Sequence, residues 1–177
     1  MNRGSPVAVV GGGAWGTALA IHLARLGHPV GLWIREADLV ARMLDRRDNP
    51  RYLPGVRVPG GVTPTAEFGE LLRRAEVVVA AAPSHHARAV YREMAPVLAT
   101  GVPLLVATKG IEEGTLSLPA DVARQELGAD RPVAVLSGPS FAAEVARGVP
   151  TAVVVASADE DLSLRLRDLL SSGWFSH

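Results

Sequence analysis

Two groups of residues in this chain have the types and spacing for chemistry. Gly11, Gly13 and Gly16 fall in the pattern G-x-G-x-x-G, directly after the apolar run Val7-Ala-Val-Val10. Behind them Trp15, Leu19, Leu23 and Leu26 recur at spacings of four, four and three, which is a helical face. Strand, glycine turn and helix together form the setting that a dinucleotide fingerprint requires. Gly11 permits the tight turn, Gly13 lets a pyrophosphate approach the backbone, and Gly16 lets the helix lie close to the strand. The free N–H groups at the helix start then face the anion.

The second group is built around Lys109. It is the sole lysine among 18 basic residues. It follows the apolar run Val102-Pro-Leu-Leu-Val-Ala107 and precedes Gly110, so it is expected at the carboxyl end of a buried strand. Open α/β sheets bind ligands at such strand ends. A compact ammonium there suits a phosphate, a carbonyl oxygen or the nicotinamide side of a cofactor. A second strand and glycine turn follows at Val133-Ala-Val-Leu136 and Ser137-Gly-Pro-Ser140. Ser140 is read as the N-cap of the next helix, whose start could receive a small phosphate ester. Arg35 and Glu36 end the run Val30-Gly-Leu-Trp-Ile34, about 20 residues past the glycines, where the adenosine ribose is read. An acid there favours an unphosphorylated ribose and an arginine accommodates a 2′-phosphate. Arg35 is the expected adenosine contact, with NADP at least tolerated. His85 and His86 follow Pro83-Ser84, and Ser84 reads as an N-cap. Adjacent residues on a helix diverge, so these histidines are read as surface positions at a helix start, not as metal ligands.

Buried strands alternating with helical patterns predict an α/β, Rossmann-like, doubly wound and mostly parallel sheet with helices on both faces. The expected core strands are Val7–Val10, Val30–Ile34, Val77–Ala81, Leu104–Ala107 and Val133–Leu136. Residues 46–55 carry two prolines and a glycine and read as an ordered connection, neither helix nor strand. Ser157-Ala-Asp-Glu160 matches a capping box ahead of a helix with Leu162, Leu166, Leu169 and Leu170 inward. Trp174 and Phe175 read as exposed aromatics that would drive self-association.

The 177 residues carry equal numbers of acids and bases, no cysteine, and a hydrophobic fraction of 48%. Disulfides and thiolate metal sites are thereby excluded. No basic block points to nucleic acid, and no run is long and apolar enough to span a membrane. The first strand begins almost at once, with no visible signal peptide, so the expected compartment is the cytoplasm.

Six motifs in order carry a resemblance. They are Gly11-Gly-Gly-Ala-Trp-Gly-Thr-Ala-Leu-Ala20, Leu32-Trp-Ile-Arg35, Asn49-Pro-Arg-Tyr-Leu-Pro-Gly55, Ala82-Pro-Ser-His85, Ala107-Thr-Lys-Gly-Ile-Glu-Glu-Gly114 and Ser137-Gly-Pro-Ser-Phe-Ala-Ala-Glu144. Over nearly its whole length the chain resembles the soluble bacterial NAD(P)-dependent glycerol-3-phosphate dehydrogenases. The resemblance implies reversible hydride transfer between NAD(P)H and dihydroxyacetone phosphate, giving glycerol 3-phosphate for phospholipid synthesis. It implies that Ala14, Trp15, Arg35 and Ala142 contact NAD or NADP. Lys109 would touch both cofactor and substrate, and Gly138 and Ser140 would lie on the substrate side. A homodimer is one assembly open to such a protein. Family members continue into a helical C-terminal domain that supplies the principal catalytic lysine. The expectation is therefore that residues 1–177 are the nucleotide-binding domain alone, truncated or cut short, binding dinucleotide with little or no dehydrogenase activity. The competing readings are a non-catalytic dinucleotide module or redox sensor, and a relative of the 6-phosphogluconate or ketopantoate enzymes. The latter would share the first motif but not the later five.

Overall fold

The opening strand already sorts its side chains between two cores. In β1 (Val7–Val10), Val7 and Val9 join one buried cluster and Ala8 and Val10 the other. Alternation on a strand buried on both faces has this consequence. The computed structural model describes residues 4–173 and 175–176. After β1 come α1 (Ala14–Arg25), β2 (Val30–Trp33), α2 (Ala37–Arg46), β3 (Asp48–Asn49), β4 (Leu53–Arg57), β5 (Val62–Thr65), α3 (Gly69–Arg74) and β6 (Val77–Ala80). Then follow α4 (Ser84–Met94), β7 (Leu104–Val106), α5 (Pro119–Leu127), β8 (Val133–Ser137), α6 (Ala142–Arg147), β9 (Thr151–Ala152), β10 (Val154–Ser157), α7 (Glu160–Leu170) and β11 (Phe175–Ser176).

Seven strands form the main sheet in the order β10-β8-β7-β6-β1-β2-β5. All neighbours are parallel except β10, which runs antiparallel to β8. The chain moves outward from β1 to β2 and β5, then returns to β6 on the other side of β1. Strand order reverses there, and a crevice opens beyond the carboxyl ends of β1 and β6. The fold is the doubly wound, mostly parallel sheet that the sequence predicts. Leu162, Leu166, Leu169 and Leu170 of α7 are buried in the same cluster as α1, as their spacing requires.

Three local expectations are corrected. Residues 46–55 are not free of strand: β3 and β4 pair antiparallel, with Asn49 opposite Leu53. Arg47 at φ 56° and Gly55 at φ 75° turn the chain into and through this hairpin. Its anchor is the buried Asn49 side chain, whose Nδ2 donates to the Gly12 carbonyl and to Thr17 Oγ1, both at 2.9 Å. Secondly, the three serines read as N-caps are not caps. Pro83 precedes α4, Phe141 precedes α6, and Asp159 caps α7. Asp159 Oδ1 accepts from the Leu162 N–H at 3.0 Å, and a carboxylate outcompetes a hydroxyl for that role. Ser157 instead donates to the Val133 carbonyl at 2.9 Å. Thirdly, strand bounds shift: the strands expected to end at Ile34, Ala81 and Ala107 each end one residue earlier, at Trp33, Ala80 and Val106. The proposed apolar patch at Trp174 and the Phe175 side chain lies outside the described residues.

Asn49→Ala would strip the buried Thr17 hydroxyl of its donor and leave the Gly12 carbonyl with only the longer bond from Thr17 Oγ1 at 3.2 Å. The expected loss is about 2 kcal/mol of stability, read from urea denaturation midpoints. An unchanged midpoint would remove Asn49 as the hairpin's anchor.

Candidate functional site

The site begins at the turn between β1 and α1. Gly11 sits at φ 126°, and a Cβ on it would lie 2.7 Å from the Ala81 carbonyl carbon on β6's trailing end. A Cβ on Gly16 would lie 1.9 Å from the Gly11 oxygen, so only glycine lets α1 settle there. A Cβ on Gly13 would meet nothing within 4 Å. Gly11 and Gly16 are glycines because protein fills the space, and Gly13 is a glycine facing open space at the head of α1. Gly12, outside the pattern, is equally constrained: its Cβ would lie 2.6 Å from Ile34 Cγ1.

Two cavities flank this turn. One, of about 290 Å³, is walled by Gly11, Gly12 and Gly13, by Arg35, Glu36 and Tyr52, and by His85 and His86. Arg35 projects over Trp33, 5.7 Å from its ring centroid, with Glu93 3.6 Å away. Glu36 is engaged by its neighbours: it accepts from the Tyr52 hydroxyl at 2.6 Å, and Arg51 lies 3.9 Å off. That hydrogen bond holds the Tyr52 phenol above its ordinary pKa. The sequence offers an acid and a base side by side at the end of β2. The fold ties the acid to a phenol and leaves the guanidinium at the cavity wall.

The other cavity, of about 340 Å³, lies at the carboxyl ends of β7 and β8 and is lined by Trp15, Thr108, Lys109, Gly138 and Ser140 among others. Lys109 Nζ donates to the Ser140 carbonyl at 2.7 Å and stands 4.9 Å from the centroid of the Trp15 ring. Trp15 is fixed in turn, since its Nε1 donates to the Ala107 carbonyl at 3.1 Å. Thr108 Oγ1 donates to the Ala82 carbonyl at 2.9 Å, tying the loop's root to the end of β6. An ammonium carries three N–H donors, so the lysine keeps capacity for an incoming oxygen. Ser140 acts here through its carbonyl, not as a helix cap, and α6 is only six residues long. Gly138, at φ 146°, packs its Cα against Val153, where a Cβ would be 3.0 Å from the Val153 Cα.

The family model for the N-terminus of NAD-dependent glycerol-3-phosphate dehydrogenase matches residues 6–163. The chain belongs to this family. A protein of Azorhizobium caulinodans named glycerol-3-phosphate dehydrogenase [NAD(P)+] is 50% identical over 169 residues, 96% of this chain and 51% of that one. Its namesake in Methylobacterium radiotolerans is 47% identical over 99% of this chain and 52% of its own. The crystal structure of glycerol-3-phosphate dehydrogenase from Coxiella burnetii superposes with a TM-score of 0.92 at 36% identity, over 99% of this chain and 53% of that one. The chain spans about half the length of the curated relatives it matches.

Within this glycerol-3-phosphate dehydrogenase N-terminal fold, the expected site residues divide cleanly. Gly11, Gly13 and Arg35 wall the first cavity, and Trp15, Lys109, Gly138 and Ser140 line the second. Ala14 and Ala142 open α1 and α6 and are half-buried, while Gly16 is fully packed. Residue reasoning missed Asn49 and Tyr52, although both stand in the Asn49–Gly55 motif. His85 and His86 are exposed in the first turn of α4, as expected, and they also line the first cavity. Behind Lys109, Arg88 on α4 makes a bidentate pair with Glu112, at 2.8 and 2.7 Å, and also bonds Glu126 and Gln125 of α5. The bonds from Arg88 to Glu112, with one from Thr115, pull the Glu112 carboxyl down from its ordinary 4.5 to about 2.

Two predictions follow from this geometry. Gly16→Ala collides with backbone and should cost at least about 3 kcal/mol, whereas Gly13→Ala should fold normally, with thermal denaturation separating the two. Equal melting points would contradict the assignment of one glycine to packing and the other to open space. The depressed Glu112 carboxyl binds fewer protons folded than unfolded. Its contribution is therefore full above about pH 4.5 and is lost as the pH falls through about 2. Glu112→Gln should be less stable than the parent chain at about pH 6, with the gap narrowing by about pH 3. A gap independent of pH would refute the ion pair's role.

Proposed function

We propose that this chain is the cofactor-binding half of a glycerol-3-phosphate dehydrogenase. NAD or NADP would lie across the carboxyl ends of β1, β6 and β7, and the phosphate ester dihydroxyacetone phosphate or glycerol 3-phosphate would meet Lys109. The observation that carries this reading is the single ammonium held between the Trp15 ring and the Ser140 carbonyl, at strand ends beside the glycine turn. A turn without ligand chemistry has no need of a cation at that point.

The residues fit a dinucleotide. Gly13 leaves open the space that a pyrophosphate would take, and the first helical turn behind it presents backbone N–H groups. Arg35 offers a guanidinium to an adenosine phosphate, and Glu36 is occupied by Tyr52, so NADP is accommodated as well as NAD. Bound in this crevice, a nicotinamide supplies or takes up a hydride. Lys109 would orient a carbonyl or hydroxyl oxygen and stabilise negative charge on it, as a preorganised cation does. Ser140, itself buried, holds that ammonium in place, and Gly138 keeps the loop against Val153.

The cavity around Lys109 is lined by no carboxylate or imidazole among the described residues. Lys109 is also the only lysine of the chain. A proton donor separate from Lys109 would have to come from the other half of the family's protein. A missing general acid typically costs about 10²–10⁴-fold in rate, so these 177 residues alone should bind cofactor but turn over little.

Calorimetric titration with NADPH and NADH, with and without dihydroxyacetone phosphate, tests the reading. Cofactor should bind, the phosphate ester should tighten it, and Lys109→Ala should remove about tenfold of that gain. Cofactor binding indifferent to both the ester and the substitution would favour a plain dinucleotide module or sensor. No heat of binding from a folded sample would overturn the proposal.

A further inference from the structure

We infer that Arg88 is a positioning residue for Lys109, acting through Glu112: the guanidinium on α4 clamps the loop that carries the ammonium. The inference deepens the proposed site and rests on that reading for its functional meaning. Its structural content stands on the following geometry.

Between the end of β7 at Val106 and the start of α5 at Pro119, the chain has no helix or strand. Lys109 sits near the start of this loop, so something other than backbone pairing must fix it. At the root, Thr108 holds the Ala82 carbonyl. Three residues beyond the lysine, both oxygens of Glu112 are taken by Nε and one terminal nitrogen of Arg88. The loop then closes on itself: the Glu112 N–H donates to the Ser117 carbonyl at 3.0 Å, and the Leu116 N–H to the Glu112 carbonyl at 3.0 Å. Glu112 is thus the node through which loop and scaffold communicate. Arg88 anchors that node to rigid parts, because it also bonds Gln125 and Glu126 on α5.

The exposure of the pair decides its weight. Side chains of Arg88 and Glu112 are 22% and 13% exposed, the most sheltered ion pair among the described residues, with Arg88 and Glu126 next at 22% and 14%. The remaining pairs each have at least one partner well exposed, where solvent and salt leave little net attraction. A planar guanidinium bonding a carboxylate bidentately fixes orientation as well as distance, which a lysine at position 88 could not do. Arg88 itself lines neither cavity, so its influence on the site must pass through the loop.

Because the chain contains one lysine, the clamp has a direct readout that needs no turnover. Lys109 would be labelled with an amine-reactive acetylating reagent and followed by peptide mass spectrometry, with the N-terminal amine as internal reference. In the parent chain the ammonium is held against Ser140 and should react slowly. Arg88→Gln and Glu112→Gln should each raise the Lys109 rate about tenfold, the factor for losing a charge-assisted contact, and the double variant should add little to either. Met43→Ala, a truncation of a buried side chain on α2, which packs on β5 at the far edge of the sheet from β7, serves as a destabilised control and should leave the rate unchanged. Rates in both single variants equal to the parent's, or equal to those of Met43→Ala, would overturn the inference. If Arg88→Gln fails to fold, Glu112→Gln alone decides it. Protection of Lys109 by NADPH in the parent chain tests the cofactor site separately, so failure of the clamp and failure of the proposed function give different results.

Discussion

The seat of α1 on the end of β1 is the contact on which this structure depends. The helix approaches so closely that the Gly11 carbonyl occupies the space where a side chain at position 16 would begin. That approach brings Trp15 near enough to bond the Ala107 carbonyl, joining the first strand's turn to the end of β7. It also presents the Gly12 carbonyl and Thr17 hydroxyl to Asn49, which is how a hairpin distant in sequence comes to lie under the turn. Farther along α1, His22 meets the Leu170 carbonyl at 2.7 Å and Arg25 bonds the Ala146 carbonyl at 2.6 Å. One helix thereby ties α6 and α7 to the sheet and, through Trp15, walls the cavity around Lys109.

From that seat the division of labour in the site is geometrical. Strand order reverses between β1 and β6, so loops on the two sides of the reversal diverge and leave space between them. Arg35 comes from the β2 side and Lys109 from the β7 side. The two bases suit their positions differently. Arg35 lies over the Trp33 ring at an open wall, where a broad, weakly hydrated cation is well placed. Lys109 places a compact ammonium between an indole ring and a carbonyl, with donors left to turn toward an incoming oxygen. In a chain with 17 arginines this is a physical reason for the one lysine to stand there.

The main sheet was legible because parallel, doubly covered strands are nearly continuous apolar runs, and Val7–Val10 and Val77–Ala80 are buried throughout. The glycine roles were legible because each is a local demand of a tight turn. What local patterns could not reveal was the β3–β4 hairpin. Its anchor, Asn49, finds partners 37 and 32 residues away, and without them a segment rich in proline has no reason to pair. One of the misplaced caps has the same origin. Ser157 was drawn away by the Val133 carbonyl on a neighbouring strand, whereas the Ser140 hydroxyl turns to the Gly138 carbonyl in its own loop and α6 starts two residues later.

The charge arrangement gives the crevice its direction. Glu36 points at the first cavity but shares its charge with a phenol and a nearby guanidinium, and Glu112 is withdrawn behind the second by Arg88. Acids that sequence position alone would set against an anion are thus turned to holding scaffold, while Arg35 and Lys109 stay at the walls. In the proposed site the same residues would let a chain of zero formal charge receive an anion: its bases and acids are equal in number but not in where their charge is felt. Positioning the acids is therefore as much a part of the site as positioning the bases. This accounts for the Asn49–Gly55 and Ala107–Gly114 motifs each carrying residues that touch no cavity, yet govern the groups that do.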